Sequence, residues 1–187
     1  MNEFKKKANA AGERLLKGVP SALEEIIDMY QKKIYNLAYQ YTGDREEAFD
    51  LSQEIFTRLY LKIKLFSSKS NFNAWFMQLA VNTAINYKAK LKRNPSNTAL
   101  EFNPNNIDLE HCKSTDKTEQ GSIYEIITSL LTQLPKRERM AIMLQLWERK
   151  KVKEIAEIMD ISVKAVESLL TRARKRLKKI KNEGFST

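Results

Sequence analysis

The sequence predicts an all-α protein of two small helical domains joined by a flexible linker. Three observations carry this. Apolar residues recur at three-and-four spacing along most of the chain, without the alternation of strands. Among 187 residues there are only five glycines and four prolines, and Gly43, Pro95, Pro104, Gly121 and Pro135 fall between the periodic segments. Residues 94–121 break the pattern, with two prolines, many Asn, Ser and Thr, and five acids against two lysines in an otherwise basic chain. That composition suits an interdomain linker. It separates a first domain over residues 10–93 from a second over residues 122–183.

The first clear helix runs from about Leu23 to Tyr41, because Leu23, Ile26, Ile27, Tyr30, Ile34, Leu37, Ala38 and Tyr41 form one apolar stripe. Gly43 supplies its C-terminal break and Asp44 an N-cap for the next helix. That helix carries Ala48, Leu51, Ile55 and Leu59 on one face, with Phe49, Phe56 and Tyr60 as a second stripe. A third spans about Asn71 to Lys92, with Phe72, Phe76, Leu79, Ala80, Thr83, Ala84 and Tyr87 facing inward. Three such helices can close a small bundle. After the linker, Ile123, Ile126, Ile127, Leu130, Leu131 and Leu134 resume the helical pattern. Pro135 suits the start of a helix bearing Met140, Met143, Leu144 and Trp147, and two more follow, about Val152–Met159 and Val163–Ile180.

A formal net charge of +10 points to a polyanionic partner, and 42% hydrophobic residues are enough to build cores. No apolar run approaches the length of a membrane span, and MNEFKKKANA lacks the apolar stretch of a secretory signal. Cys112 is alone, so no disulfide framework is expected, which fits a reducing cytoplasm.

The most specific signal is KVKEIAEIMDISVKAVESLLTRARKRLKK, residues 151–179, which reads as a helix-turn-helix. Ile155 and Ile158 bury the first helix, and Ala156 is small where the helices approach. Asp160 takes the left-handed turn position, where glycine is commoner. Ile161 plugs the corner, Ser162 caps the second helix, and Val166 and Leu169 pack it inward. This leaves Lys164, Glu167, Ser168, Thr171 and Arg172 on the outer side, where the start of such a helix reaches base edges. Arg174, Lys175, Arg176, Lys178 and Lys179 lie farther along and suit phosphates. A helical hairpin with a solvated basic face is the plainer alternative.

With these residues in view, the chain resembles sigma factors of the extracytoplasmic-function group. LPKRERMAIML and the helix-turn-helix ending in TRARKRLKK are similar to the family's region four, and YTGDREEAFDLSQEIFTRLY, FNAWFMQLAVNTAINYKAK and ERLLKGVPSALEEIIDMY to its region two. The resemblance implies a factor that joins core RNA polymerase to promoter DNA, is held by an anti-sigma factor, and needs no cofactor. It implies that the segment Asp44–Tyr60 docks on the polymerase. There Asp50, Gln53, Glu54 and Thr57 share one helix face, an acidic stripe that without the family would read first as solvated surface. The helix from Asn71 would read the minus-ten element through Trp75, Gln78, Asn82 and Asn86, with Lys88, Lys90, Lys92 and Arg93 on phosphates and the loop Ser67–Asn71 receiving a flipped base. Trp75 could equally be a core residue. In region four, Lys164, Ser168, Thr171 and Arg172 would meet minus-thirty-five bases, and Arg174, Lys175, Lys178 and Lys179 phosphates. Two positions depart from the family pattern. Glu167 is an acid where a basic or polar residue is common, and Asp160 replaces the commoner glycine.

Other classes fit less well. No phosphate-binding glycine loop or nucleophile motif is present, so an enzyme is not expected. His111 and Cys112 are adjacent and lack the partners of a metal site. A helix-turn-helix regulator that never engages polymerase is the alternative, and it leaves the acidic face and the Trp75 stripe without a purpose.

Overall fold

The structure, a computed structural model, describes residues 3–68, 70–87 and 119–184. Among these residues there are helices and no strand. The N-terminal half holds α1 (Glu3–Leu16), α2 (Ser21–Thr42), α3 (Arg45–Lys62), a 3-10 turn (Ile63–Leu65) and α4 (Phe72–Asn86). The C-terminal half holds α5 (Glu119–Thr132), α6 (Lys136–Leu146), α7 (Val152–Met159) and α8 (Val163–Gly184). Helix α5 starts three residues inside the stretch read as linker, and Tyr87, in an extended conformation, ends α4 at Asn86.

Local chemistry sets the helix ends as expected. Gly43 takes the left-handed conformation at φ 77°, and its N–H closes α2 by donating to Tyr39 O. The Asp44 side chain accepts from Glu47 N at 2.9 Å and starts α3. Asn71 does the same for α4 through Ala74 N at 3.3 Å.

Helix α1 is a departure, because the first domain holds four helices where the sequence pattern marks three. The buried face of α1 is Ala8, Ala11, Gly12 and Leu15, too small to give a strong apolar signal beside the Lys5–Lys7 run. Smallness is what the position needs. A Cβ on Gly12 would lie 2.3 Å from the Phe72 ring, so only glycine admits the contact between α1 and α4. Asn9 Oδ1 also accepts from Phe72 N at 2.9 Å, satisfying one of the donors that the start of α4 leaves open.

Around this contact lies an aromatic core. Tyr30 meets Phe76 edge-on at 5.1 Å, Phe66 meets Phe72 edge-on at 5.3 Å, and Phe72 and Phe76 lie 5.8 Å apart. Each such ring fully buried contributes about 1.5–3 kcal/mol of transfer free energy. Tyr60 does not join the expected second stripe of α3. Leu59 and Ile63 take the inward positions at that end of the helix, and Tyr60 falls beside them and is exposed.

The inward residues expected on α4 are buried, apart from Leu79, which is half-buried. A second row, Met77, Val81 and Ile85, is buried as well. A bundle of the N-terminal helices alone would not need it. Helix α4 also packs against α6 and α7, α2 packs against α5 and α6, and the buried apolar residues of both halves form one continuous cluster.

Arg139 on α6 ties the halves together. Its guanidinium donates to Tyr41 O at 2.7 Å, to Leu134 O at 3.2 Å and to Thr132 O, and lies 5.1 Å from the centroid of the Tyr41 ring. These carbonyls belong to the ends of α2 and α5, where helices leave acceptors unpaired and carry partial negative charge. Burial lowers the Arg139 pKa, and Tyr41 and Glu47 counter it. Lys136 Nζ donates to Tyr87 O, and Lys33 pairs with Glu148 at 3.4 Å.

Two substitutions test this architecture. Gly12→Ala should cost about 1–3 kcal/mol by forcing Phe72 aside, read from denaturant unfolding. Arg139→Lys keeps the charge but cannot span three carbonyls, and should cost about 1–3 kcal/mol in the same measurement.

Candidate nucleic-acid interface and acidic face

Helix α3 presents the acids. Asp50 is exposed, and Gln53, Glu54 and Thr57 are half-exposed on the same side. Glu54 pairs with Arg58 one turn on at 2.7 Å. The field of this face is felt by Tyr87 at the end of α4, whose phenol is pushed up to about 12, first by burial and then by Asp50, Glu47, Glu54 and Asp44. The Asp44 cap holds the first turn that carries Glu46 and Glu47, and acids there suit the positive end of the helix.

Trp75, Gln78, Asn82 and Asn86 share one side of α4. Trp75 is half-buried and packs on Phe66 at 5.4 Å and Phe72 at 5.8 Å, so it is part of the core wall with one side still open. That side opens on a pocket of about 280 Å³ lined by Ser70, Asn71, Ala74, Trp75 and Gln78, with Glu157 and Ile158 of α7 on its other wall. Asn86 is exposed, and its side-chain amide donates to Asn82 O at 2.8 Å. Ser67, Ser68, Ser70 and Asn71 of the preceding loop are exposed. Lys69, Lys88, Lys90, Lys92, Arg93, His111 and Cys112 lie outside the described residues.

The helix-turn-helix is built as its sequence implies. Asp160 sits at φ 53°, ψ 52°, and Ile161 N donates to Ala156 O at 3.0 Å across the turn. Ser162 Oγ caps α8 by accepting from Ala165 N at 3.2 Å. Ile155, Met159, Val166, Leu169, Leu170 and Ala173 are buried between the helices, and Ile161 is half-buried against them. Ile158 is only half-buried and faces the Trp75 pocket instead.

Along α8, Lys164, Glu167, Ser168, Thr171, Arg172, Arg174, Lys175, Lys178 and Lys179 are all exposed. By helical spacing Lys164, Ser168, Thr171, Lys175, Lys178 and Lys179 form the outer stripe. The Thr171 hydroxyl donates to Glu167 O at 2.8 Å, which leaves its oxygen as an acceptor. Arg174 and Arg172 sit on the flanks, where each is drawn to α6. Arg174 donates to Gln145 at 2.8 Å, and Arg172 lies 3.7 Å from Glu138. The reach of these arginines back to α6 is not visible in the sequence, although the charged turn KRER at 136–139 contains the partner of Arg172.

Two family models match this arrangement, Sigma-70 region 2 over residues 26–94 and Sigma-70, region 4 over residues 124–177. The class is therefore the sigma-70 proteins. Among characterised relatives, the ECF RNA polymerase sigma-E factor of Haemophilus influenzae is 33% identical over 168 residues, covering 87% of this chain and 88% of that one. The ECF RNA polymerase sigma factor SigM of Bacillus subtilis is 32% identical over 165 residues, covering 88% and 98%. A chain in the solved complex of CnrH with the cytosolic domain of CnrY shares the fold, with a TM-score of 0.65 at 17% identity, covering 95% of this chain and 98% of that one. The chain belongs to the ECF family of RNA polymerase sigma factors, which are regulatory proteins and not enzymes. No described helix is long and apolar enough to cross a membrane.

Asp44→Ala should shorten α3 at the end that carries the acidic face. The expected cost is about 0.5–2 kcal/mol in thermal or denaturant unfolding.

Proposed function

We propose that this protein acts in the cytoplasm as a sigma factor that binds core RNA polymerase and directs it to promoters. In this reading residues 10–93 engage polymerase and the minus-ten element, and residues 122–183 engage the minus-thirty-five element. The observation that carries it is the separation of opposite charge on one molecule. An acidic face on α3 repels DNA and suits a protein partner, while α8 offers a cationic outer stripe on a helix-turn-helix. Asp50, Gln53, Glu54 and Thr57 are the polymerase contacts. Trp75, Gln78, Asn82 and Asn86 face the minus-ten element, with Lys88, Lys90, Lys92 and Arg93 beside it. Lys164, Ser168, Thr171 and Arg172 face bases, and Arg174, Lys175, Lys178 and Lys179 face phosphates.

The packing of the halves bears on this reading. Glu157 and Ile158 line the same pocket as Trp75 and Gln78, so α7 would stand beside an unstacked base that reached this stripe. CnrH binds the cytosolic domain of CnrY, and an anti-sigma partner of that sort belongs to this reading.

Runoff transcription with core polymerase on genomic fragments tests the proposal, with promoter-dependent start sites as the supporting result. Binding to a duplex operator without any effect on core polymerase would instead identify a conventional regulator. Asp50→Lys with Glu54→Lys should abolish co-purification with core polymerase while leaving the helical circular-dichroism signal intact, since exposed positions cost typically about 0.5 kcal/mol or less. Undiminished co-purification would count against the assigned face.

A further inference from the structure

Glu138 is the acid of the turn KRER, a run whose composition suggests a solvated corner. It is instead 4% exposed, the one buried carboxylate among the described residues. It lies in the first turn of α6, where the helix end favours negative charge. Its two oxygens face two arginines one turn apart on α8. Oε2 lies 3.0 Å from Arg176 Nε without a hydrogen bond, and Oε1 lies 3.7 Å from Arg172 Nε, so both contacts are ion pairs.

The edge that each guanidinium turns inward matters. Glu138 pairs with both arginines at Nε, on one edge of each guanidinium. Both side chains remain 57% exposed. With Lys175, Lys178, Lys179 and Asn182 they line an open groove along α8. A free arginine spreads over many rotamers and loses that freedom when it binds. Here a buried anchor restricts two of them before any DNA arrives. The pair with its carboxylate still carries a net positive charge.

The geometry assigns Glu138 as a positioning residue that sets the DNA-facing ends of Arg172 and Arg176. The assignment rests on the reading of α8 as the minus-thirty-five helix. It extends that reading to a residue that touches no DNA. An isolated surface ion pair would add little, and burial of the carboxylate is what makes its hold on the two arginines specific.

The test compares holoenzymes carrying wild-type chain, Glu138→Gln, Glu138→Asp and Arg172→Ala. Transcription is measured from promoters with intact and altered minus-thirty-five elements at two salt concentrations. Glu138→Gln keeps the size of the side chain and removes its charge. The ratio between the two promoters should fall about fivefold or more, while output from the altered promoter holds or rises because a negative charge beside the phosphates is gone. A purely structural role would lower both promoters together. A folded Glu138→Gln chain with an unchanged ratio overturns the assignment. If that variant does not fold, Glu138→Asp decides. Its carboxylate is one methylene too short to meet both arginines, so the ratio should fall part of the way, and an unchanged ratio again overturns the idea. Arg172→Ala separates the two levels. If it lowers the ratio and the Glu138 variants do not, α8 remains the reading helix and only the positioning role is lost. If Arg172→Ala changes neither promoter, Arg172 does not face DNA and the assignment falls with that contact.

Discussion

Helix α4 is apolar around most of its circumference, and such a helix has to be covered on more than one side. Phe72, Phe76, Ala80 and Ala84 are buried in the N-terminal bundle, while Met77, Val81 and Ile85 form a further buried row on a helix that also meets α6 and α7. Much of the rest follows. The close approach of α1 demands Gly12, and the capping of α4 draws on Asn9 from that same helix. What remains open is a narrow strip, and it carries Trp75, Gln78, Asn82 and Asn86. The surface of α4 proposed for nucleic acid is thus what the packing of this helix leaves over.

Two of the polar contacts between the halves are placed where helices end. Arg139 answers the unpaired carbonyls of α2 and α5 with one planar cation, and Lys136 does the same at Tyr87 beyond α4. Hydrogen bonds to a charged donor are worth about 1.5–3 kcal/mol each, so such contacts add appreciably to an apolar interface and depend on its geometry. Electrostatics also sorts the surface. The acids of α3 and the cations of α8 occupy different helices, so one chain presents an acidic and a basic face.

Sequence by itself determined what depends on neighbours in the chain. The stripe of α2, the caps at Asp44 and Ser162, the left-handed turns at Gly43 and Asp160, and the helix-turn-helix all follow from local hydrogen bonding and helical spacing. The candidate DNA and polymerase residues were legible for the same reason, since spacing alone puts them on common faces. Tertiary structure decided what depends on distant neighbours. Helix α1 hides in small residues whose value lies in fitting against Phe72. Tyr60 reads as core and lies outside because Leu59 and Ile63 fill the inward positions. Trp75 is both core wall and open surface, a distinction no periodicity can draw. Glu138 stands in a charged run and is buried, because the arginines that compensate it sit over thirty residues away on α8 and meet it only after the chain has folded.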